Sequence, residues 1–188
     1  MNKKILVTGG AGLIGLTLIK KLVDLGHSVI CFDLAEQLLR QEKVLQEIKA
    51  SGDLQLVPGT IMDKWGLTSV MQDCDAVFHL AAMLGVKRTE DNRLRCMDIN
   101  INGTDSVLQA CVQNRVEHVI IASSSEVYGE PSHNPIKETD ETKGKTVYAV
   151  SKLAAEELTI GYNQIHKDLN YTIVRFFNTY GERQVAQF

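Results

Sequence analysis

The sequence has 188 residues, enough for one domain of ordinary size, with 44% hydrophobic residues and a formal net charge of −3. Acidic and basic residues are interspersed, which excludes the basic footprint of a typical nucleic-acid-binding protein. The four cysteines stand far apart with no C-x-x-C pair, which favours reduced thiols in a cytoplasmic protein over a disulfide framework or a metal site. The first apolar run is too short for a signal peptide or a membrane span, so we expect no membrane partner.

The first predicted strand leads directly into a glycine-rich turn. An apolar run at 5–7 is followed by TGGAGLIG at 8–15, and then by apolar residues at helical spacing. Without a Cβ, Gly10 and Gly12 let the backbone turn sharply and approach an anion, and Gly15 lets the helix pack close to the strand. The free N–H groups at the start of the helix favour a diphosphate. This is the G-x-G-x-x-G dinucleotide-binding pattern in its strand–turn–helix context, and a glycine turn without a ligand is the alternative.

Strands and helices alternate along the rest of the chain. Further strands are predicted at 27–33, 54–57, 75–82, 116–122 and 171–176, and helices at 13–25, 34–50, 64–72, 93–114 and 147–166. Strands that are apolar on both faces are typical of a parallel sheet covered by helices. The pattern therefore predicts an α/β fold, a doubly wound parallel sheet (Rossmann fold) with helices on both faces and strand order 3-2-1-4-5-6. Ligands bind such sheets beyond the carboxyl ends of the strands.

Asp33 ends the second predicted strand. Its carboxylate is placed to accept hydrogen bonds from the adenosine ribose hydroxyls of a dinucleotide. A 2′-phosphate at this place would be repelled by about 4 kcal/mol at about 4 Å and an effective dielectric constant of about 20. The next basic residue along the chain is Arg40, so no cation close in sequence offsets the repulsion. The sequence therefore predicts NAD rather than NADP, unless Asp33 is only a solvated strand end.

A second group of polar residues follows the fifth predicted strand. Tyr148 and Lys152 are four residues apart and share one face of a helix, and the run SSSE at 123–126 precedes them. Because the ordinary pKa of tyrosine is about 10, Tyr148 needs positive neighbours to act as a base, and Lys152 and an oxidised nicotinamide are expected to supply them. Ser124 would hold a substrate hydroxyl while Tyr148 removes its proton. The alternative is an ordinary amphipathic helix with a half-buried tyrosine.

Sequence motifs run through almost the whole chain. They are TGGAGLIG at 8–15, Asp33, HLAA at 79–82, Asn100 with Gly103–Thr104, SSSEVYGEP at 123–131, YAVSK at 148–152 and RFFNTYGERQ at 175–184. Together they closely resemble the extended short-chain dehydrogenase/reductases, and within these the NAD-dependent nucleotide-sugar epimerase/dehydratase group.

The resemblance implies an enzyme with tightly held NAD that oxidises the C4 hydroxyl of a nucleotide sugar and then returns the hydride, with 4-epimerisation as the expected outcome. It implies catalytic roles for Ser124, Glu126, Tyr148 and Lys152. The implied cofactor contacts are Gly9, Gly12, Leu13, Ile14, Gly15, Asp33, Leu34, Ile61, Leu80, Ala81, Ala82, Asn100, Ser123, Tyr148, Lys152 and Phe176. The implied substrate contacts are Ser124, Ser125 and Asn178, and the implied partners are a UDP-linked sugar and a second copy of the chain in a homodimer.

Departures from the family patterns bear on the subfamily. Sugar 4,6-dehydratases carry Asp-Glu where this chain has Ser125–Glu126, so loss of water across C5–C6 is not expected. Ser-Glu before Val-Tyr-Gly, with Asn-Thr at 178–179 and Glu-Arg-Gln at 182–184, resembles UDP-glucuronate decarboxylases and decarboxylase-like epimerases, so a UDP-glucuronate decarboxylase-type activity is the alternative to 4-epimerisation. Glu126 would then be a second acid/base or a sugar contact, and a structural carboxylate is the alternative. Relatives often have Gly-Asp-Ile at the adenine, where this chain has Gly59–Thr60–Ile61, so we expect that contact to differ.

Relatives continue beyond the equivalent of Phe188 into a smaller domain that closes over the nucleotide sugar. We therefore expect residues 1–188 to form the NAD-binding domain, with the start of the substrate region at about 177–188 and the C-terminal substrate domain largely absent. A non-catalytic NAD-binding module is accordingly a second hypothesis for the function.

Overall fold

Six parallel strands form one sheet in the computed structural model of the chain, which describes residues 2–181 except for the side chain at position 86. The strands are β1 (Lys4–Thr8), β2 (Ser28–Asp33), β3 (Leu54–Pro58), β4 (Ala76–His79), β5 (His118–Ser124) and β6 (Asn170–Phe176). Their order is β3-β2-β1-β4-β5-β6, so the chain order reverses between β1 and β4. The predicted doubly wound sheet and its strand order are confirmed.

Helices cover both faces of the sheet, because successive residues of each strand point to opposite sides. Leu6 packs with residues of the fourth, seventh and eighth helices, while Ile5 and Val7 pack with residues of the first and third. The helices are α1 (Leu13–Asp24), α2 (Ala35–Arg40), α3 (Glu42–Ser51), α4 (Lys64–Val70), α5 (Val86–Asp91), α6 (Arg93–Met97), α7 (Gly103–Gln113) and α8 (Val147–Ile165). Within residues 2–181, no helix has both the length and the apolar character needed to cross a membrane.

The helix predicted at 34–50 is two helices, which separate at Gln41. Helix α3 buries Leu45 and Ile48 against α1, whereas α2 buries none of its residues. Leu38 of α2 packs, partly buried, against the same cluster as Leu45 and Ile48. Helix α2 follows β2 directly through Leu34, so it begins at the carboxyl end of β2, where a ligand is predicted.

The helix predicted at 93–114 is also interrupted. A π-helical turn at Asp98–Asn102 separates α6 from α7, and the additional helix α5 precedes them. Such π-turns inside helices are rare and often occur at functional sites. Here the wider turn contains Asn100, which is buried and forms hydrogen bonds with the backbone of Met83.

Two strands end at other places than predicted. Strand β4 stops at His79, because its partner β1 gives way to the glycine turn after Thr8, although its other neighbour β5 continues. Strand β5 continues through Ser124, because β6 remains paired with it up to Phe176. Residues 139–145 have no regular secondary structure.

Candidate active site

A continuous cleft lies at the carboxyl ends of the strands. It has two parts, of about 920 Å³ and 580 Å³, which we call the Asp33 half and the Tyr148 half after a residue in each. Both halves are bordered by the same residues at their junction, namely Gly9, Gly12, Gln37, Arg40, Leu80, Ala82 and Leu84. The junction therefore consists of the glycine turn on one side, the segment after β4 on another, and α2.

The glycine turn leaves no room for side chains. Gly9 has a φ of +70°, and a Cβ added there would lie 2.6 Å from the backbone nitrogen of Ala81. A Cβ at Gly15 would lie 2.5 Å from the carbonyl oxygen of Gly9. The turn can therefore keep its close contacts with β4 and α1 only if these positions are glycine.

The first turn of α1 offers free backbone donors to the cleft. Gly12 occupies the N-cap, no side chain caps the helix, and the first turn has no acidic residue. The first backbone bond of the helix runs from the N–H of Leu16 to the carbonyl of Gly12. The N–H groups before it have no helical partner, and they belong to residues that line the Tyr148 half, namely Leu13, Ile14 and Gly15. These donors and the positive end of the helix dipole fit the diphosphate of a dinucleotide.

Asp33 lies at the end of β2 and is held by two backbone donors. Its Oδ2 accepts the N–H of Ala11 at 2.9 Å, and its Oδ1 accepts the N–H of Leu34 at 2.8 Å. Burial raises the pKa of Asp33, and these two hydrogen bonds oppose the effect. Each carboxylate oxygen keeps a lone pair for a further donor, such as a ribose hydroxyl.

Three arginines line the Asp33 half as well, namely Arg40, Arg88 and Arg95. Arginines thus line the same half as Asp33, although none follows it closely in the sequence. Helix α2 brings Arg40 back over the cleft, and α5 and α6 contribute the other two. The sequence did not indicate that these arginines line the cleft, because the helix break at Gln41 and helix α5 are not predicted from the pattern of apolar residues.

The segment expected at the adenine has an apolar and a hydroxyl side chain in the Asp33 half. Ile61 and Thr60 line it, and the Thr60 hydroxyl accepts the N–H of Met62 at 3.3 Å. The next acidic residue along the chain is Asp63, whose carboxylate accepts the N–H of Gly66 at 3.0 Å and caps α4. Asp63 therefore does not supply the carboxylate that relatives often have at the position of Thr60, because it caps α4 instead.

Asn100 fixes one wall of the cleft from within the protein. Its Oδ1 accepts the N–H of Met83 at 2.7 Å, and its Nδ2 donates to the carbonyl of Met83 at 3.0 Å and to Ser151 Oγ at 2.9 Å. The side chain is buried and lines neither half. The hydrogen bonds hold the segment that contains Leu80, Ala81 and Ala82, which do line the cleft. A direct contact between Asn100 and a cofactor stays a prediction.

Helix α8 carries Tyr148 and Lys152 into the Tyr148 half. Thr146 caps the start of the helix, and its hydroxyl accepts the N–H of Ala149 at 3.0 Å and donates to Glu126 Oε2 at 2.9 Å. The Lys152 Nζ lies 5.7 Å from the centroid of the Tyr148 ring. Glu126 lines the same half, so the predicted catalytic side chains share one volume.

Burial dominates the electrostatics of this group. Burial raises the pKa of Tyr148 to about 12, and the nearby carboxylate of Glu126 adds to the increase. Burial also lowers the pKa of Lys152 to about 8. Lys152 alone therefore does not lower the pKa of Tyr148 below its ordinary value, in line with the expectation that an oxidised nicotinamide is needed as a second positive neighbour. The residues of the chain alone keep Tyr148 a neutral phenol at neutral pH.

The serines at the end of β5 have different environments. Ser123 is buried, and its hydroxyl donates to Glu156 Oε1 at 2.5 Å. Ser124 Oγ accepts the N–H of Glu126 at 3.2 Å at the start of a 3₁₀ turn (Ser125–Tyr128). The hydroxyl of Ser124 keeps its proton for a further acceptor. Ser124 is thus the more available of the two for a substrate hydroxyl.

The end of β6 completes the Tyr148 half. Phe176 pairs with Ser124 and lines the cleft, and Asn178 is exposed at its border. The motif residues at 182–184 and the rest of 182–188 lie outside the described residues. The predicted cofactor and substrate residues of the described chain therefore meet in one cleft, with Asn100 adjacent to it.

The comparisons with known proteins match nearly the whole chain. The model of the NAD-dependent epimerase/dehydratase family matches residues 5–188. A UDP-N-acetyl-α-D-glucosaminuronate decarboxylase of Bacillus cytotoxicus is 38% identical, and the match covers 97% of this chain and 56% of that protein. A putative UDP-glucose 4-epimerase of Methanocaldococcus jannaschii is 34% identical, with 96% of this chain and 57% of that protein covered.

The solved structures agree with the sequence matches. The crystal structure of a UDP-glucose 4-epimerase from Stenotrophomonas maltophila, with bound NAD and formylated UDP-arabinopyranose, has a TM-score of 0.87 and 32% identity. The match covers 94% of this chain and 53% of that one. The chain thus spans a little over half the length of the curated relatives it matches. The strand order, the glycine turn and the match over residues 5–188 show that the chain belongs to the NAD-dependent epimerase/dehydratase family.

Proposed function

We propose that residues 1–188 are the NAD-binding domain of a nucleotide-sugar epimerase. In the proposed reaction the C4 hydroxyl of the sugar is oxidised by hydride transfer to NAD, and the hydride is then returned to give the 4-epimer. The observation that carries the proposal is the single cleft that runs from Asp33 past the glycine turn to Ser124, Tyr148 and Lys152. The start of the substrate region at about 177–188, the homodimer and the cytoplasmic location stay predictions of the sequence.

The cleft offers a place to each part of the cofactor. Asp33 would accept the hydrogen bonds of the adenosine ribose, and the free N–H groups at the start of α1 would donate to the diphosphate. The nicotinamide would then lie in the Tyr148 half, next to Phe176. NAD supplies the hydride acceptor, and the chain supplies the binding, the orientation and the proton transfer.

Three side chains divide the acid–base work. The Ser124 hydroxyl would hold the C4 hydroxyl of the sugar, and the Tyr148 oxygen would accept its proton as the C–H bond breaks. Because burial raises the pKa of Tyr148 to about 12, the phenol must lose its own proton before this step. The charged form of Lys152 favours that loss, since a nearby cation stabilises a phenolate.

A UDP-sugar decarboxylase is the alternative that a specific observation favours. Glu126 follows Ser125, lines the Tyr148 half and keeps its Oε1 free of the hydrogen bond that Thr146 makes to Oε2. This carboxylate is placed to act as a second acid/base. The Bacillus cytotoxicus protein, which is 38% identical, is named for a decarboxylation.

Two experiments test the proposal. Calorimetric titration of the chain should show binding of NAD, and a folded chain that binds no NAD would overturn the proposal. The longest gene product that contains this chain should then be incubated with a panel of UDP-sugars. Products of unchanged mass with inverted C4 support the epimerase, and loss of carbon dioxide supports the decarboxylase. Binding of NAD without turnover of any sugar would support a non-catalytic NAD-binding module instead.

A further inference from the structure

A buried ion pair joins α8 to β6 beside the Tyr148 half. Arg175 Nε donates to Glu156 Oε1 at 3.0 Å, and a terminal nitrogen of Arg175 donates to Oε2 at 2.7 Å. The side chain of Glu156 is only 5% exposed and that of Arg175 is 20% exposed. Arg175 also donates to the hydroxyl of Tyr128 at 2.9 Å, with its guanidinium carbon 4.9 Å from the centroid of that ring. This planar, two-pronged contact allows Glu156 little freedom of orientation.

Glu156 is connected to the strand end that carries Ser124. Its Oε1 accepts the hydroxyl of Ser123 at 2.5 Å. One turn earlier on the same helix, Lys152 Nζ donates to the carbonyl of Ala122 at 2.8 Å. Two side chains of α8 thus hold the end of β5. Lys152 bonds to Ala122, and Glu156 bonds to the next residue, Ser123. A displacement of Glu156 would therefore be passed to Ser123 and to its neighbour Ser124.

We propose that Glu156, held by Arg175, is a positioning residue that sets the places of the Ser124 hydroxyl and the Lys152 ammonium in the cleft. The inference rests on the proposed function for the roles of Ser124 and Lys152. Stability alone does not explain a buried ion pair, because apolar residues of similar volume often stabilise a protein as well or better. The ion pair lies next to the end of β5 and one helical turn from Lys152, and a role in placing these residues explains why it is buried there.

Glu156 also determines the charge around Lys152. Burial lowers the pKa of Lys152 to about 8, while Cys96 and Glu156 oppose the decrease. Burial raises the pKa of Cys96 above its ordinary value, so this thiol is uncharged at neutral pH. Tyr148 on α8 and His79 on β4 are neutral at this pH as well. The carboxylate of Glu126 lines the same half as Lys152, but Glu156 is the carboxylate whose charge raises the pKa of Lys152. Glu156 therefore favours the protonated form of Lys152, while it is itself paired with Arg175.

The substitution Glu156→Gln tests the inference, because it keeps the shape of the side chain and removes its charge. The chain is labelled with ¹³C-lysine, the signal of Lys152 is assigned with Lys152→Met, and its titration is followed by NMR. We expect the midpoint to fall by about one pH unit, at the lower end of what a nearby opposite charge contributes. Glu157→Gln is the matched control, since Glu157 is the next residue of α8 and is exposed, and it should leave the midpoint unchanged.

Glu156→Gln leaves the buried guanidinium of Arg175 without its charged partner, which destabilises the fold. A second variant therefore keeps the test decisive if the first one does not fold. The double substitution Glu156→Gln/Arg175→Met removes both charges and should shift Lys152 in the same direction. An unchanged Lys152 midpoint in either variant, with a native-like backbone spectrum, would overturn the inference. NAD affinity should also fall several-fold in Glu156→Gln and not in Glu157→Gln. The lysine titration needs no cofactor, so failure of the native chain to bind NAD contradicts the proposed function without deciding this inference.

Discussion

Replacement of Asp33 with asparagine should weaken the preference for NAD over NADP. The carboxylate is fixed by the N–H groups of Ala11 and Leu34, so it cannot turn away from a group bound beside it. Asparagine has the same shape but no charge, and its amide can satisfy only one of the two N–H donors through oxygen. The substitution thus removes the repulsion of a 2′-phosphate and weakens the contact with the ribose hydroxyls of NAD.

The size of the effect follows from the charges in the Asp33 half. A carboxylate and a phosphate charge about 4 Å apart repel by about 4 kcal/mol at an effective dielectric constant of about 20. A guanidinium about 8 Å from the phosphate would attract it by about 2 kcal/mol and so offset half of the repulsion. Arg40 lines the same half and carries such a charge. The net penalty is then about 2 kcal/mol, or about 30-fold in affinity. Asp33→Asn removes the repulsion of about 4 kcal/mol and leaves the attraction of Arg40 in place, so we expect the ratio of the NADP to the NAD dissociation constant to fall by up to about 10³-fold.

Calorimetric titrations of both dinucleotides at several salt concentrations measure this ratio. Asp53→Asn is the control, because Asp53 is exposed and does not line the cleft. Arg40→Gln in the Asp33→Asn background should reduce NADP affinity again, which separates the role of the arginine from that of the carboxylate. If Asp33→Asn leaves the ratio of the two affinities unaltered, the charge argument for NAD is refuted.

Three further substitutions test other parts of the site. Tyr148→Phe in the complete protein should lower turnover by at least about 10²-fold with NAD affinity unchanged, and native turnover would exclude the phenol from the proton transfer. Gly15→Ala should weaken NAD binding by more than about tenfold, because its Cβ would meet the carbonyl of Gly9 at 2.5 Å, whereas Gly161→Ala, with open space around its Cβ, should bind normally. Burial lowers the pKa of His79 from 6.5 to about 3, so the unfolded chain binds a proton that the folded chain does not. As the pH is lowered below about 6.5, the free energy of unfolding should therefore decrease, by at most about 1.4 kcal/mol per pH unit. In urea titrations, His79→Gln should make this decrease smaller. An unchanged decrease would assign the pH dependence to other groups.

The sheet and the positions of its ligand-facing ends were predictable from the sequence. The glycine turn after β1 and the alternation of apolar strands with amphipathic helices determine the strand order almost completely. Once the order is known, Asp33 must face the glycine turn, and the serines after β5 must lie near the helix that carries Tyr148. These placements depend on short, local patterns that have few alternative arrangements.

The features that the sequence did not reveal depend on side chains that meet across long separations. The π-helical turn exists where Asn100 reaches the backbone of Met83, and helical periodicity carries no signal for this contact. The pair of Glu156 and Arg175 joins residues of α8 and β6, and only the spacing of Glu156 from Lys152 along one helix face could have indicated it. Arg40 of α2 lines the cleft next to a helix break at Gln41 that the apolar pattern does not indicate.

The charge state of Tyr148 connects cofactor binding with the acid–base step. Lowering its pKa from about 12 to near 7 requires about 7 kcal/mol of stabilisation of the phenolate. One positive charge at about 4 Å supplies about 4 kcal/mol at an effective dielectric constant of about 20, so a single cation is not sufficient. Lys152 can be one of the two charges that are needed, provided that Glu156 keeps it protonated. In the proposed mechanism the oxidised nicotinamide would supply the second, so Tyr148 would act as a base only after the cofactor is bound.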